Sequence, residues 1–563
     1  MHKRILLFLF LFPLGYTMGQ LNLTPYSRIG LGEIFNPTSS RNFSMGGLGI
    51  GLTDPTNINS LNPASYSSIK LTTYDFSGTI AYRKQATESV TNSFLTGNFY
   101  NAALAFRTNK KITFVAGLSP FTGTNYRIQV PDTIFQGTDT LAYNVRYQAK
   151  GGINELNFGV GFTVLKKLNI GLKLPVLFGS TRYQWITQFE KNLEVGYVSK
   201  RISLSGFNPR IGVQYEDTLK FNRTVDLYKE NQGKLREIAS EQKKLESKIS
   251  DVIKEKEKAA AKDKSLEPER EKLEAQKKAV KEKEDAARAS NALSESDLDK
   301  LENRYRKYNN RKKRIDQKAQ KTKKKIQDKE RSLTRTHDRN KVSENAILEK
   351  QKAILADSTK RKEVRKDSIL FCLGGVFDPP VILKGQKLTE YTNFQVNDTL
   401  QNITGGTTLP LRIGAGFSFY KPGKWVVGAD FSRQQWGNFS IFDENYQLKP
   451  SWSINAGGEY IRETFSNHFF RKVAWRGGLF FESSELELKG HTIVRYGINV
   501  GIGIPLARAI KDMNEKPYLS RINLGFSFGT QGTVSDGLIK ESFVMMRIGV
   551  NLNDRWFKKR NLE

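Results

Sequence analysis

A single cysteine, Cys372, leaves the chain without the means for an internal disulfide or a thiolate metal cluster. The four histidines, His2, His337, His468 and His491, are scattered, and none stands at a ligand spacing such as H-E-x-x-H. No metal and no cofactor are therefore expected. The sequence holds no Walker loop, no G-x-S-x-G and no dinucleotide fingerprint, and an enzyme is not expected either. Past the N-terminus no apolar run reaches the roughly 18 residues that a membrane-spanning helix needs. Acidic residues are in short supply: 57 Asp and Glu face 89 Lys and Arg, a formal net charge of +32. In a cytosolic protein that excess would suggest nucleic acid.

What is present first is an export signal. Lys3 and Arg4 precede the apolar stretch Ile5–Gly15, and Thr17-Met18-Gly19 supplies small residues for cleavage after Gly19. Residues 1–19 read as a signal peptide. Cys372 is far from that point, so no lipoprotein anchor is implied. Export removes nucleic acid as a partner and leaves lipopolysaccharide, peptidoglycan and acidic proteins.

The body of the chain alternates with period two. Leu156, Phe158, Val160, Phe162 and Val164 share one strand face, opposite Asn157, Gly159, Gly161 and Thr163. Leu411–Tyr420, Val494–Leu506 and Arg521–Gly529 repeat the pattern. In an outer-membrane barrel the apolar face meets lipid, and the face rich in Gly, Asn and Ser lines the lumen. About fourteen such strands are legible, an even number as bacterial barrels prefer. Six fall in residues 70–220 and eight in 367–557. Thr108–Lys110, Leu165–Lys167 and Lys421–Gly423 read as tight turns; segments near 129–142, 379–407 and 438–448 read as longer polar loops. Tyr82, Tyr100, Tyr183, Trp185, Trp425, Trp436, Trp452 and Trp475 are candidates for interfacial aromatic girdles. The last strand, with Phe543 and the closing Trp556-Phe557, resembles a barrel-assembly signal, followed by a tail at 558–563.

Residues 221–366 have a different composition, rich in Lys, Glu, Ala and Gln. Apolar heptads through Leu235, Ile249, Val252, Ile315 and Ile326 suggest an antiparallel coiled-coil hairpin with its tip near Ser290–Asp297 and a kink at Pro268. A disordered charged linker has the same composition and is the alternative. Within 221–367, 44 basic side chains face 29 acidic ones. The excess concentrates at Arg311, Lys312, Lys313, Arg314, Lys321, Lys323, Lys324 and Lys325. Counting strands from a periplasmic N-terminus, the hairpin replaces a periplasmic turn. A solvated face, an acidic partner or peptidoglycan would all suit its charge.

One segment carries a family likeness. Gly46, Gly47, Asp54 and the triplet Asn62-Pro63-Ala64 resemble the N-terminal plug of the FadL-type outer-membrane transporters, in a Bacteroidota-like member. The family's alanines are largely replaced by Gly and Leu, and the tail runs past the closing aromatic. The resemblance implies an all-β transmembrane barrel of 14 strands, plugged by residues of about 20–69 and lodged in outer-membrane lipid. It also implies passive uptake of a hydrophobic ligand through the lumen, gated by the six plug residues. The hairpin points to an alternative: a non-transporting adaptor subunit of an outer-membrane secretion or assembly complex. Such a subunit would dock a periplasmic or outer-membrane protein, or peptidoglycan.

Overall fold

The computed structural model describes residues 24–554 apart from short gaps at 109–110, 137–138, 190–193, 291–294, 357–360, 394–396, 443, 465–467, 507–509, 513–514 and 519. The signal segment, Trp556, Phe557 and the tail lie outside the described residues. The chain forms two compact units: residues 1–220 with 368–563, and residues 221–367.

In the first unit the alternating segments form one antiparallel sheet that closes on itself. Its strands are β1 (Thr72–Ala86), β2 (Thr91–Arg107), β3 (Ile112–Gln136), β4 (Asp139–Leu165) and β5 (Leu168–Phe189). Next come β6 (Glu194–Phe207 and Arg210–Asp226), β7 (Lys362–Asp378 and Val381–Asn393) and β8 (Asn397–Leu409 and Arg412–Lys421). The set ends with β9 (Trp425–Gln434), β10 (Ser451–Ile461), β11 (Ala474–Leu488), β12 (His491–Pro505), β13 (Arg521–Gln531) and β14 (Lys540–Asp554). Strand β1 pairs with β14 from Thr72↔Asp554 to Ala86↔Lys540, which closes a barrel of 14 strands. Pairing of the first strand with the last satisfies the backbone along that seam, the condition for crossing lipid with strands. Phe158, Phe162, Phe417, Ile498, Val544 and Ile548 face outward, as period two requires. The fold expected from the alternation is the fold observed: this is an outer-membrane β-barrel.

Strands β7 and β8 are longer than expected, because the ladder resumes beyond a shared row of prolines. Strand β5 meets β6 at Val176↔Phe207 and again at Lys173↔Arg210, the same register on both sides of Pro209. Strand β7 meets β8 at Val381↔Leu409 and Arg412↔Asp378, the same register across Pro379, Pro380 and Pro410. With Lys384 opposite Ser205, this places Pro209, Pro380 and Pro410 side by side on adjacent strands. Proline lacks an N–H and interrupts the ladder where it stands. Three in one row interrupt it once and let it resume. Hence 379–407 is not a loop but the upper halves of two long strands. Likewise 129–142 is the hairpin of β3 and β4, paired out to Gln136↔Asp139.

The aromatic girdle also needs correction. Tyr82, Trp452 and Trp475 face outward, whereas Trp436 is buried in a loop core and Tyr100 faces the plug. Strand register puts Tyr183 and Trp185 on the inner face, with Leu177.

The second unit is a helical hairpin: α1 (Leu227–Ser265), α2 (Glu267–Ser290) and α3 (Glu295–Ala356). Asp226 caps α1 by accepting from the backbone N–H groups of Tyr228 and Lys229. The break at Leu266 precedes Pro268, which belongs in a first helical turn and not an interior. Gln242–Glu344, Lys256–Glu330, Arg270–Asp316 and Glu274–Lys312 contacts define one antiparallel register between α1–α2 and α3. Val252, Leu273 and Ile326 are buried in the seam. Helix α3 has 62 residues and so extends about 93 Å at its ~1.5 Å rise. Helix, not disordered linker, is the outcome of this composition.

Cross-helix pairs make the hairpin sensitive to acid. Hydrogen bonds from Lys329 to Glu255 and from Lys312 to Glu274 hold both carboxyls below the ordinary 4.5. A depressed carboxyl contributes stability above its unfolded value and loses it as pH falls through the folded one. Helical circular dichroism of the hairpin should be flat above pH 4.5 and decline only below it. A loss beginning near neutrality would contradict this account.

Candidate functional site

The barrel lumen is filled by residues 24–69, and the filling depends on backbone-to-backbone contact. A side chain on Gly171 would strike Pro63 and Ala64, and one on Gly212 would strike Asn62. Similar collisions await at Gly374 against Ile50 and at Gly478 against Met45 and Gly46. On the plug, Gly46 and Gly47 have φ of +72° and +87°, a left-handed backbone that favours glycine. Asn62 accepts from the Ala64 N–H at 3.0 Å and donates to the carbonyls of Ile50 (2.8 Å) and Val213 (3.2 Å). Pro63 opens the short helical turn Pro63–Ser68. Asp54 accepts from the Thr56 N–H at 2.6 Å and pairs with Arg41 at 3.0 Å. Of the six plug residues singled out in the sequence, Gly46 and Gly47 lie against β10 and β11, Asn62-Pro63-Ala64 against β5 and β6, and Asp54 braces the plug internally.

The wall residues that grip the plug escaped sequence reasoning. Asp430 on β9 accepts from three consecutive backbone N–H groups: Gly49 at 2.5 Å, Ile50 at 2.7 Å and Gly51 at 3.2 Å. Arg41 makes two bonds to Glu459 on β10, at 3.1 and 3.0 Å, and Arg476 on β11 approaches the same carboxylate at 2.7 Å. Arg210–Asp378 (2.6 Å) and Lys173–Glu155 (3.2 Å) form further buried pairs on the inner face. A usable signal existed: a charge amid an amphipathic strand, in phase with the glycines, must point into the lumen and needs a counter-charge there.

At the end opposite the tight turns the mouth is closed. The loop after β9 folds inward, and Trp436, Phe439, Ile441 and Phe442 pack against Tyr26 and Leu31 of the plug and Leu177, Leu204 and Leu383 of the wall. Below this cap lies a cavity of about 490 Å³ between plug and wall. Phe35, Phe43, Phe99, Tyr100 and Phe480 line it, but so do Arg83, Arg412, Asp430, Glu482, Arg495 and Arg547. Beside it the wall is irregular. The β2–β3 ladder runs only from Arg107↔Thr113 to Ala102↔Leu118. Above that point the plug's short strand pairs with β3, Ile34↔Thr122 and Glu33↔Gly123, next to a register shift at Pro120. The Glu33 carboxylate reaches Arg83 on β1 at 3.3 Å.

The remaining predicted residues are dispersed. Phe543 lies buried on the inner face, stacked near Phe480 at 6.4 Å between ring centroids. On the hairpin, Arg311 pairs with Glu269 at 2.8 Å and Lys312 with Glu274 at 2.5 Å. Lys313, Arg314, Lys321, Lys323, Lys324 and Lys325 are exposed on α3.

The grip on the plug is directly testable. Asp430→Ala strands three buried donors and should destabilise the seat by about 3 kcal/mol or more. Gly171→Val should cost about 1–3 kcal/mol through overpacking, whereas Gly375→Ala, which meets open space, should be neutral. Limited proteolysis of the purified barrel should nick residues 46–64 in the first two variants only. Full protection in Asp430→Ala would show that this carboxylate does not hold the plug.

Several solved structures align with the chain over most of its length. The toluene transporter TbuX of Ralstonia pickettii aligns with a TM-score of 0.41 at 11% identity, over 92% of this chain and 98% of its own. The toluene transporter TodX of P. putida aligns at 0.42 and 10%, over 92% and 99%. The translocator domain of the autotransporter NalP from Neisseria meningitidis aligns at 0.26 and 8%, over 85% and 87%. No curated protein matches the sequence. A family model described as BamG matches residues 1–283 and 382–563, most of the length and both halves of the barrel. The chain belongs to the BamG family.

Proposed function

We propose that this protein is a non-transporting adaptor subunit of an outer-membrane assembly or secretion complex, its helical hairpin docking a partner in the periplasm. The observation that carries the reading is the closed lumen: the plug lies backbone-on-backbone against the wall, and an apolar cap covers the mouth. Opening a continuous passage would break several buried ion pairs, and breaking one such pair typically costs about 3–5 kcal/mol. The cavity that remains carries six charged side chains from the wall, a poor match for an apolar solute. A hairpin about 93 Å long adds nothing to passive diffusion but gives a partner a long surface. Its strands favour the periplasm: β6 and β7 join at the barrel end where β1 begins and the tight turns lie.

Passive uptake of a hydrophobic molecule is the second reading. The observation in its favour is the short β2–β3 ladder beside Phe99 and Tyr100, a place where a ligand could leave sideways.

The experiment is gentle detergent extraction of the tagged full-length chain beside a variant with Leu227–Ala356 replaced by a short turn, followed by mass spectrometry of what co-purifies. A stoichiometric protein lost from the variant, with the barrel still heat-modifiable on gels, is the expected result. Retention of every partner by the variant would sink the adaptor reading. A full-length protein that purifies alone with an apolar molecule in its cavity would establish the second.

A further inference from the structure

The hairpin's surface cations divide into two groups with different fates. Those flanking the seam are consumed by the fold: Arg311, Lys312 and Lys329 pair with Glu269, Glu274 and Glu255 on the opposite arm. Between residues 313 and 339, those pointing away from it are not. At ~3.6 residues per turn, positions 313, 317, 321, 324, 328, 331, 335 and 339 follow one line along α3, opposite the buried Ile326. Lys313, Lys321, Lys324, Arg331, Arg335 and Arg339 occupy six of the eight, with Gln317 and a single acid, Asp328. All six cations are exposed, and none takes part in an ion pair among the described residues.

Such a line works against its own helix. Like charges three and four residues apart repel, and a merely solvated face normally intersperses the two signs. Here six cations and one acid extend over about 39 Å. The line then ends on apolar side chains, Val342, which is 70% exposed, and Ala346, one turn further along.

We propose that this ridge docks an acidic helix of a partner protein, laid along α3 as a third strand of a helical bundle. This rests on the adaptor reading above and names the chemistry of the partner. The cations recur at about one helical turn, the spacing at which Asp or Glu at i, i+3/i+4 and i+7 would repeat on a facing helix. Val342 and Ala346 supply an apolar contact at one end of the ridge. The ridge has no aromatic side chain on which a sugar ring could stack, so a glycan strand is the poorer fit.

The test places a photo-reactive residue at Gln317, or at Val342, in the otherwise intact chain, with irradiation of whole cells. The expected product at both positions is a protein adduct whose cross-linked peptide carries acids at a spacing of three and four residues. Its yield should fall about ten-fold when Lys313→Glu, Lys324→Glu, Arg331→Glu and Arg335→Glu are combined. Yield should persist with Lys313→Arg, Lys324→Arg, Arg331→Lys and Arg335→Lys. A muropeptide adduct, an adduct to a non-acidic segment, or a yield indifferent to charge reversal overturns the proposal. So does the absence of any adduct at both positions. If hairpin replacement still releases a partner in that case, the adaptor reading survives and only the ridge falls; if it releases none, both fall.

Discussion

A polypeptide can lie flat against a barrel wall only where that wall carries no side chains, and this constraint governs the rest of the first unit. The inner face of the strands supplies glycine where the plug passes: Gly171 and Gly212 under Asn62 and Pro63, Gly374 under Ile50, Gly478 under Met45. With Cβ atoms absent, plug amides come within reach of wall carboxylates, and Asp430 binds three of them in succession. The same proximity removes water, so each charge on the inner face must find a partner. Arg41, Glu459 and Arg476 meet for that reason. The glycines are thus the cause, and the buried ion pairs follow from them.

Much of this architecture was legible because period two is a local property. Leu156 to Val164 shows its lipid face without reference to any other strand, and fourteen such segments suffice to imply closure. The longer loops were misread for a non-local reason. Pro379-Pro380 looks like the end of a strand when β7 is considered alone. Only the register shows that Pro209 and Pro410 stand beside it, so the three share one interruption. The ion pairs were illegible for the same reason, since Arg41 and Glu459 are 418 residues apart. The plug residues Gly46, Asp54 and Asn62-Pro63-Ala64 could be singled out by likeness, but nothing in their spacing indicated which wall groups hold them.

The hairpin obeys different physics and was correspondingly easier to read. Its apolar seam is narrow, with Val252, Leu273 and Ile326 among its few buried members. Such a coil gains little from burial and depends on pairs such as Lys256–Glu330 and Arg270–Asp316 to fix its register. Exposed pairs of this kind are individually weak. They specify which turn faces which more than they add stability.

The two readings of function meet at the plug's short strand. Glu33 and Ile34 occupy the edge of β3 where β2 no longer pairs with it, and Glu33 also reaches Arg83 on β1. In a transporter this patch would have to yield to each passing molecule. Here it is anchored on both flanks of the seam, and Tyr100 on β2 donates to the Asn36 carbonyl just beyond it. The closest approach to an opening in this wall is therefore also one of its most cross-braced places.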